Sequence, residues 1–131
     1  MKIYLISPTH YRPDGDLVKS VHYWTSAITL PYLKAITAKD HQVEFTDELM
    51  QDVNVNSDAE LIGLTAMGPQ IARAYQLADH YRARGKKVVL GGTWVTLTPE
   101  DSLAHADAVV AGEAEFVWTN EIGRASCRER V

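Results

Sequence analysis

Two apolar runs in the second half of the chain end abruptly in glycine, a pattern that puts ligand binding at their ends. The first, Val88-Val89-Leu90, is followed by Gly91-Gly92-Thr93; the second, Ala108-Val109-Val110-Ala111, by Gly112-Glu113-Ala114-Glu115. A continuous apolar run of this length reads as a strand buried on both faces. Glycine at its carboxyl end permits a tight turn and lets a ligand approach bare backbone. Ligands of open parallel sheets bind outside those carboxyl ends. A third run, Ala59–Ala66, closes in Thr65-Ala66-Met67-Gly68 and adds a hydroxyl at the same level.

The rest of the chain supplies elements to position these ends. Lys2–Ser7 is a strand stopped by Pro8-Thr9-His10, and a polar loop with Pro13-Asp14-Gly15 follows. From Tyr23 to Ile36 apolar residues recur at helical spacing, with Pro31 marking a kink or the true helix start. His41–Asp47 alternates as a strand, with Val43 and Phe45 on one face. Pro69 suits the first turn of a helix whose stripe is Ile71, Ala74, Tyr75, Ala78 and Tyr81 and whose cap is Gly85. Lys86–Leu90 is the fourth strand, Pro99–His105 a short helix, and Ala108–Ala111 the fifth strand. Such alternation predicts an α/β fold: a Rossmann-like or flavodoxin-like five-stranded parallel sheet, order 2-1-3-4-5, with helices on both faces.

Composition sets outer bounds. The 131 residues, 46% hydrophobic and 23% charged, suit one globular domain. No apolar run reaches the roughly 18 residues of a membrane span, and the amino terminus lacks signal-peptide character, so the expectation is a cytoplasmic protein without a membrane partner. Acidic residues outnumber basic ones, 17 to 13, and no basic cluster precedes the tail, which argues against nucleic acid.

The tail itself reads as foreign. Ile122–Val131, Ile-Gly-Arg-Ala-Ser-Cys-Arg-Glu-Arg-Val, corresponds codon by codon to a common DNA-sequencing adapter. The expected division is therefore residues 1–121 as domain and 122–131 as artefact. A last helix cut short there would leave Phe116, Val117 and Trp118 exposed and the fragment poorly soluble. The only cysteine, Cys127, lies in the tail, so disulfides and thiolate-ligated clusters are not expected in the domain. His22, His41, His80 and His105 show no metal-ligand spacing.

Gly91-Gly92, Pro99-Glu100 seven residues beyond, and Gly112-Glu113-Ala114-Glu115 after the last strand stand together in order. In these elements residues 1–121 resemble the amino-terminal cobalamin-binding domain of radical S-adenosylmethionine enzymes. The resemblance implies that the corrin lies against the strand ends and that its nucleotide tail threads down beside Gly91 and Gly92. It implies contacts from Thr65, Thr93, Gly112 and Glu113, phosphate reception by the amides of Ala66, Met67 and Gly68, and a corrin-facing loop of Thr9, His10 and Tyr11. Trp94 would wall the pocket or, the favoured reading, cap the core. Classical cobalamin domains carry D-x-H-x-x-G after the first strand. Here Ser7-Pro8-Thr9-His10-Tyr11-Arg12-Pro13 has neither the aspartate nor the glycine, and His10 has no neighbouring carboxylate to orient it. The expectation is base-off cobalamin without histidine ligation.

The resemblance also implies a downstream radical S-adenosylmethionine barrel, with methyl transfer as the expected chemistry. The iron–sulfur cluster and S-adenosylmethionine would belong to that barrel, since no C-x-x-x-C-x-x-C occurs here, and this fragment alone performs no radical step. Two alternatives stay open. One is a degenerate scaffold of the same family; the other is a flavodoxin-like flavin or nucleotide binder, which lacks its usual phosphate loop here.

Overall fold

The computed structural model describes residues 1–20, 29–114, 117–120 and 122. Its centre is a five-stranded sheet in the order β2-β1-β3-β4-β5, parallel throughout, as the alternation predicts. The strands are β1 (Lys2–Ser7), β2 (Gln42–Asp47), β3 (Leu61–Thr65), β4 (Lys87–Gly91) and β5 (Ala108–Val109). β1, β3 and β4 form the interior, and their apolar residues are buried on both faces. β2 lies at the edge: Thr46 is buried and accepts a hydrogen bond from Tyr4 Oη at 2.7 Å, whereas Phe45 is exposed beneath Lys34. β5 is only two residues long, shorter than its apolar run suggests.

Helices cover both faces. α1 (Thr29–Ile36) begins two residues before Pro31, which therefore sits in its first turn, where a missing amide donor costs little. The earlier part of the expected helix, 23–28, lies outside the described residues. On the opposite face α2 (Ile71–Ala83) follows a 3₁₀ turn at Gly68–Gln70 and buries Ala74, Leu77, Ala78 and Tyr81, one stripe at helical spacing. Gly85, at φ +79°, ends the connection to β4 in a backbone region that favours glycine.

Between β4 and β5 lie α3 (Thr93–Leu97) and α4 (Pro99–Leu103). α4 was expected; α3 was not, because its five residues are too few to show a period and are rich in β-branched side chains. Trp94 on α3 does not cap the core. It is 38% exposed and lies over Gly68, where a Cβ would come within 3.2 Å of the indole.

The expected exposed strip at the last helix is likewise corrected. Trp118 is 2% exposed and packs with Leu5, Leu33, Val89 and Val110. Its Nε1 donates to Thr37 Oγ1 at 2.9 Å, and that hydroxyl donates to the Leu33 carbonyl, so the indole joins the segment to α1. Val117 is half-buried against the same cluster, and Phe116 lies outside the described residues. Ile122, placed in the tail by its adapter reading, is buried there as well. No helix among the described residues is long and apolar enough to cross a membrane.

Candidate functional site

A cavity of about 560 Å³ opens at the carboxyl edge of the sheet, on the α1 side. Its floor is a single row: Leu5 of β1, Gly63 of β3 and Val89 of β4 stand in register across adjacent strands. Leu30 and Leu33 of α1, Val110 and Trp118 wall it. Toward the strand ends the lining turns polar, with Ser7, Thr65 and Gly91, and then Thr93, Thr96, Gly112 and Glu113 at the mouth. The shape is a slot, apolar below and hydroxyl-rich above, and among the described residues no lysine or arginine lines it. Its volume lies in the range of roughly 300–1,000 Å³ typical of small-molecule sites.

The paired glycines have different reasons to be glycine. Gly92 has φ +105°, and a Cβ there would stand 2.6 Å from the Ala66 carbonyl oxygen and 2.8 Å from its nitrogen. The protein's own backbone demands it. Gly91 has no such constraint: a Cβ would meet nothing nearer than Val110 at 3.8 Å, an ordinary contact. It lines the slot, so any side chain there would have slot space to occupy. Gly63 is the middle of the floor row; a Cβ there would press on Leu5 Cδ2 at 2.7 Å and lie 3.6 Å from the Trp118 ring.

Thr96 ties the two sides of the mouth together. Its hydroxyl donates to the Gly92 carbonyl at 3.0 Å and accepts the Gly112 amide at 2.9 Å, while Gly112 holds φ +91°. One turn of α3 thus fixes the loops after β4 and β5 against each other. Sequence reasoning missed Thr96 because α3 was unseen. It also missed the floor, although a glycine inside an apolar strand such as Gly63 is a sequence signal for close approach.

The expected site residues divide. Thr65, Met67, Gly91, Gly92, Thr93, Gly112 and Glu113 are brought together around the slot. Ala66 is buried beside it, with its amide donated to the Gly91 carbonyl at 3.0 Å. The Met67 amide donates to Gln70 Oε1 at 2.9 Å. Two of the three amides expected to receive a phosphate therefore already have protein acceptors; Gly68 lies at the start of the 3₁₀ turn.

Thr9, His10 and Tyr11 do not line the slot. Thr9 is buried, donating its hydroxyl to the Val18 carbonyl and its amide to Glu48 Oε1. Tyr11 bridges to Leu17 and bonds through its hydroxyl to Gln76 on α2. Glu48, 1% exposed, anchors this loop: Arg73 grips it with Nη2–Oε2 at 2.7 Å and Nε–Oε1 at 3.0 Å. The hydrogen bond to Glu48 raises the Arg73 pKa above its already high ordinary value. Asp47 caps the following turn through the Leu49 amide. The described histidines other than His10 serve packing and local bonds: His41 meets the amino terminus, His80 the Val55 carbonyl, and His105 stacks on Tyr75 beside Asp79.

A parallel sheet with one face hollowed beneath its carboxyl edge puts a small-molecule cavity where open α/β sheets bind their ligands. Residues 17–117 match the B12 binding domain, and the chain belongs to that family. Among curated proteins, it is 41% identical over 93 residues to the bacteriochlorophyllide d C-8(2)-methyltransferase of Chlorobaculum tepidum, covering 70% of this chain and 21% of that protein. It is 30% identical over 132 aligned positions to an uncharacterized methyltransferase of Pyrococcus horikoshii, covering 90% and 28%. A bacteriochlorophyllide d C-12(1)-methyltransferase of Chlorobaculum tepidum is 27% identical over 100 residues, covering 72% and 22%. The chain thus spans between about a fifth and somewhat over a quarter of these relatives' lengths. No solved structure matches it.

The residues present fit a cobalamin. The slot has the volume and the apolar depth to take a planar aromatic group, the space left by Gly91 opens into it, and Thr65 adds a hydroxyl to its lining.

Proposed function

We propose that this chain is the cobalamin-binding module of a radical S-adenosylmethionine methyltransferase. It holds the cofactor base-off, with the nucleotide tail in the slot and no histidine on cobalt. The observation that carries the reading is Gly91: no described residue requires glycine there, and the space it leaves belongs to the slot. The methyltransferase names of the relatives supply the reaction class. When bound, cobalamin supplies a methyl carrier. The chain's own residues bind and orient it: the floor and walls exclude water from the tail, Thr65 offers a hydrogen bond, and the loops after β4 and β5 frame the mouth. The cluster and the S-adenosylmethionine belong, on this reading, to a barrel outside this sequence.

The state of the β1–α1 loop favours the absence of histidine ligation. His10 sits in a turn closed by the Val18 amide on its carbonyl, and no carboxylate bonds its ring among the described residues. An imidazole ligand normally needs such an orienting acceptor.

An absorbance titration of the purified chain with methylcobalamin tests the reading. Saturable binding with conversion to the base-off spectrum, unchanged in His10→Ala, is the expected result. No spectral change with a demonstrably folded protein would leave a scaffold domain of the same family instead.

A further inference from the structure

We infer that the slot selects among cobalamin-type cofactors by the polarity of the base at the end of the nucleotide tail. It takes a fused aromatic base with an apolar outer edge, such as dimethylbenzimidazole, and rejects a purine such as adenine. The inference rests on the proposed tail binding and deepens it.

A tethered tail enters the slot in a fixed order. The nucleotide hangs from the corrin through its phosphate, so the base goes in first and meets the floor, while ribose and phosphate stay near the mouth. The floor is Leu5, Gly63 and Val89, walled by Leu33, Val110 and Trp118. Among the described residues, the hydroxyls and the carboxylate of the lining stand at or beyond the strand ends or at the start of α1, with Ser7 two residues above Leu5, Thr65 two above Gly63 and Thr29 opening α1.

The indole nitrogen of Trp118, the polar side-chain atom of the described floor and walls, is already satisfied. Trp118 Nε1 donates to Thr37 Oγ1, and Thr37 donates onward to Leu33, so the indole offers the slot only its hydrocarbon surface. The floor's peptide groups lie in a paired sheet: Gly63 sits between β1 and β4 and is paired on both sides. Dimethylbenzimidazole presents carbon and methyl groups to such a floor. Adenine presents an exocyclic amine and ring nitrogens that hydrogen-bond in water and would find no partner here. Leaving a buried donor unpaired is costlier than losing a hydrophobic contact, and sites discriminate strongly on that basis. The expected preference is at least about tenfold.

The test compares three cofactors on the unmodified chain by anaerobic equilibrium ultrafiltration: cobalamin, adeninylcobamide and cobinamide, which lacks the nucleotide. All three are held in the cob(I) state, four-coordinate and base-off, so that detaching the base from cobalt does not enter the comparison. Expected is cobalamin tightest, with adeninylcobamide at least about tenfold weaker and closer to cobinamide. Equal binding of cobalamin and adeninylcobamide, both tighter than cobinamide, would overturn the selectivity and leave the tail slot standing. Equal binding of cobalamin and cobinamide would remove the slot itself, and the selectivity with it.

Discussion

The two faces of the sheet are built from the same three strands and solve different problems. On the α2 face Tyr4, Ile6, Ile62, Leu64, Val88 and Leu90 pack with Leu77, Ala78 and Tyr81 into one closed cluster. Tyr81 is fully buried, its hydroxyl donating to the Asn54 carbonyl at 2.6 Å, and burial raises its pKa far above the ordinary phenol value. On the α1 face the alternate residues Ile3, Leu5, Leu61 and Val89 meet, among the described residues, Leu30, Leu33, Val110, Trp118 and Ile122 as buried neighbours, and the slot takes the space between. One face therefore stabilises the domain, and the other gives up packing to keep room for a ligand. Interiors are ordinarily close-packed, so a persistent void of this size calls for an occupant.

The sharpest way to break that contrast is one deletion made on both faces. Leu77→Ala opens a new cavity in a filled cluster and is expected to cost about 4 kcal/mol. Leu33→Ala only widens an existing opening and is expected to cost about 2 kcal/mol, the low end of such substitutions. Urea denaturation of the two variants measures the difference; equal costs would mean that the slot closes up in solution. Cobalamin binding should respond in the opposite order, weakened by Leu33→Ala and indifferent to Leu77→Ala while the protein remains folded.

The glycine pair carries the same contrast to neighbouring residues. Gly92→Ala forces a Cβ onto Ala66 at a positive φ and is expected to destabilise by about 2–3 kcal/mol. Gly91→Ala should shift stability by less than about 1 kcal/mol, because the protein leaves room for the methyl group. Gly91→Leu, reaching into the slot, should abolish cobalamin binding in a protein that still unfolds cooperatively. If Gly91→Leu bound normally, the tail would not pass beside β4.

The sequence was legible where physics repeats. Five strands, the last shorter than its apolar run, the α2 stripe and the sheet order follow from apolar runs alternating with helical spacing, and the glycine endings pointed to the edge where the cavity opens. It was not legible which face is hollow, because β1, β3 and β4 are apolar on both sides and their pattern carries no sign of the void. Nothing local marks Glu48, since the tertiary structure brings Arg73 and the Thr9 amide onto it from distant positions in the chain. Trp118 was misplaced for a similar reason: its partners, Thr37 on the segment after α1 and Gly63 in β3, lie far away in the chain. The short α3 escaped because five residues show no period, and with it went Thr96.

Thr96 gives the finest test of the open face, since it touches only the mouth. In Thr96→Val the shape is kept, but the Gly112 amide loses its acceptor and the Gly92 carbonyl loses one of its two donors, retaining the Thr96 amide at 3.1 Å. Both groups stand at an exposed rim where water can replace the hydroxyl, so the stability loss should be only about 1 kcal/mol. The loops after β4 and β5 would no longer be cross-linked, and a tail held between them should bind several-fold more weakly. Thr96→Ser keeps the hydroxyl and should restore both properties. Cobinamide, which has no tail to hold, should bind Thr96→Val and the parent chain alike. A loss of cobinamide affinity as large as that of cobalamin would instead place the effect of Thr96 on the corrin-facing surface and not on the slot.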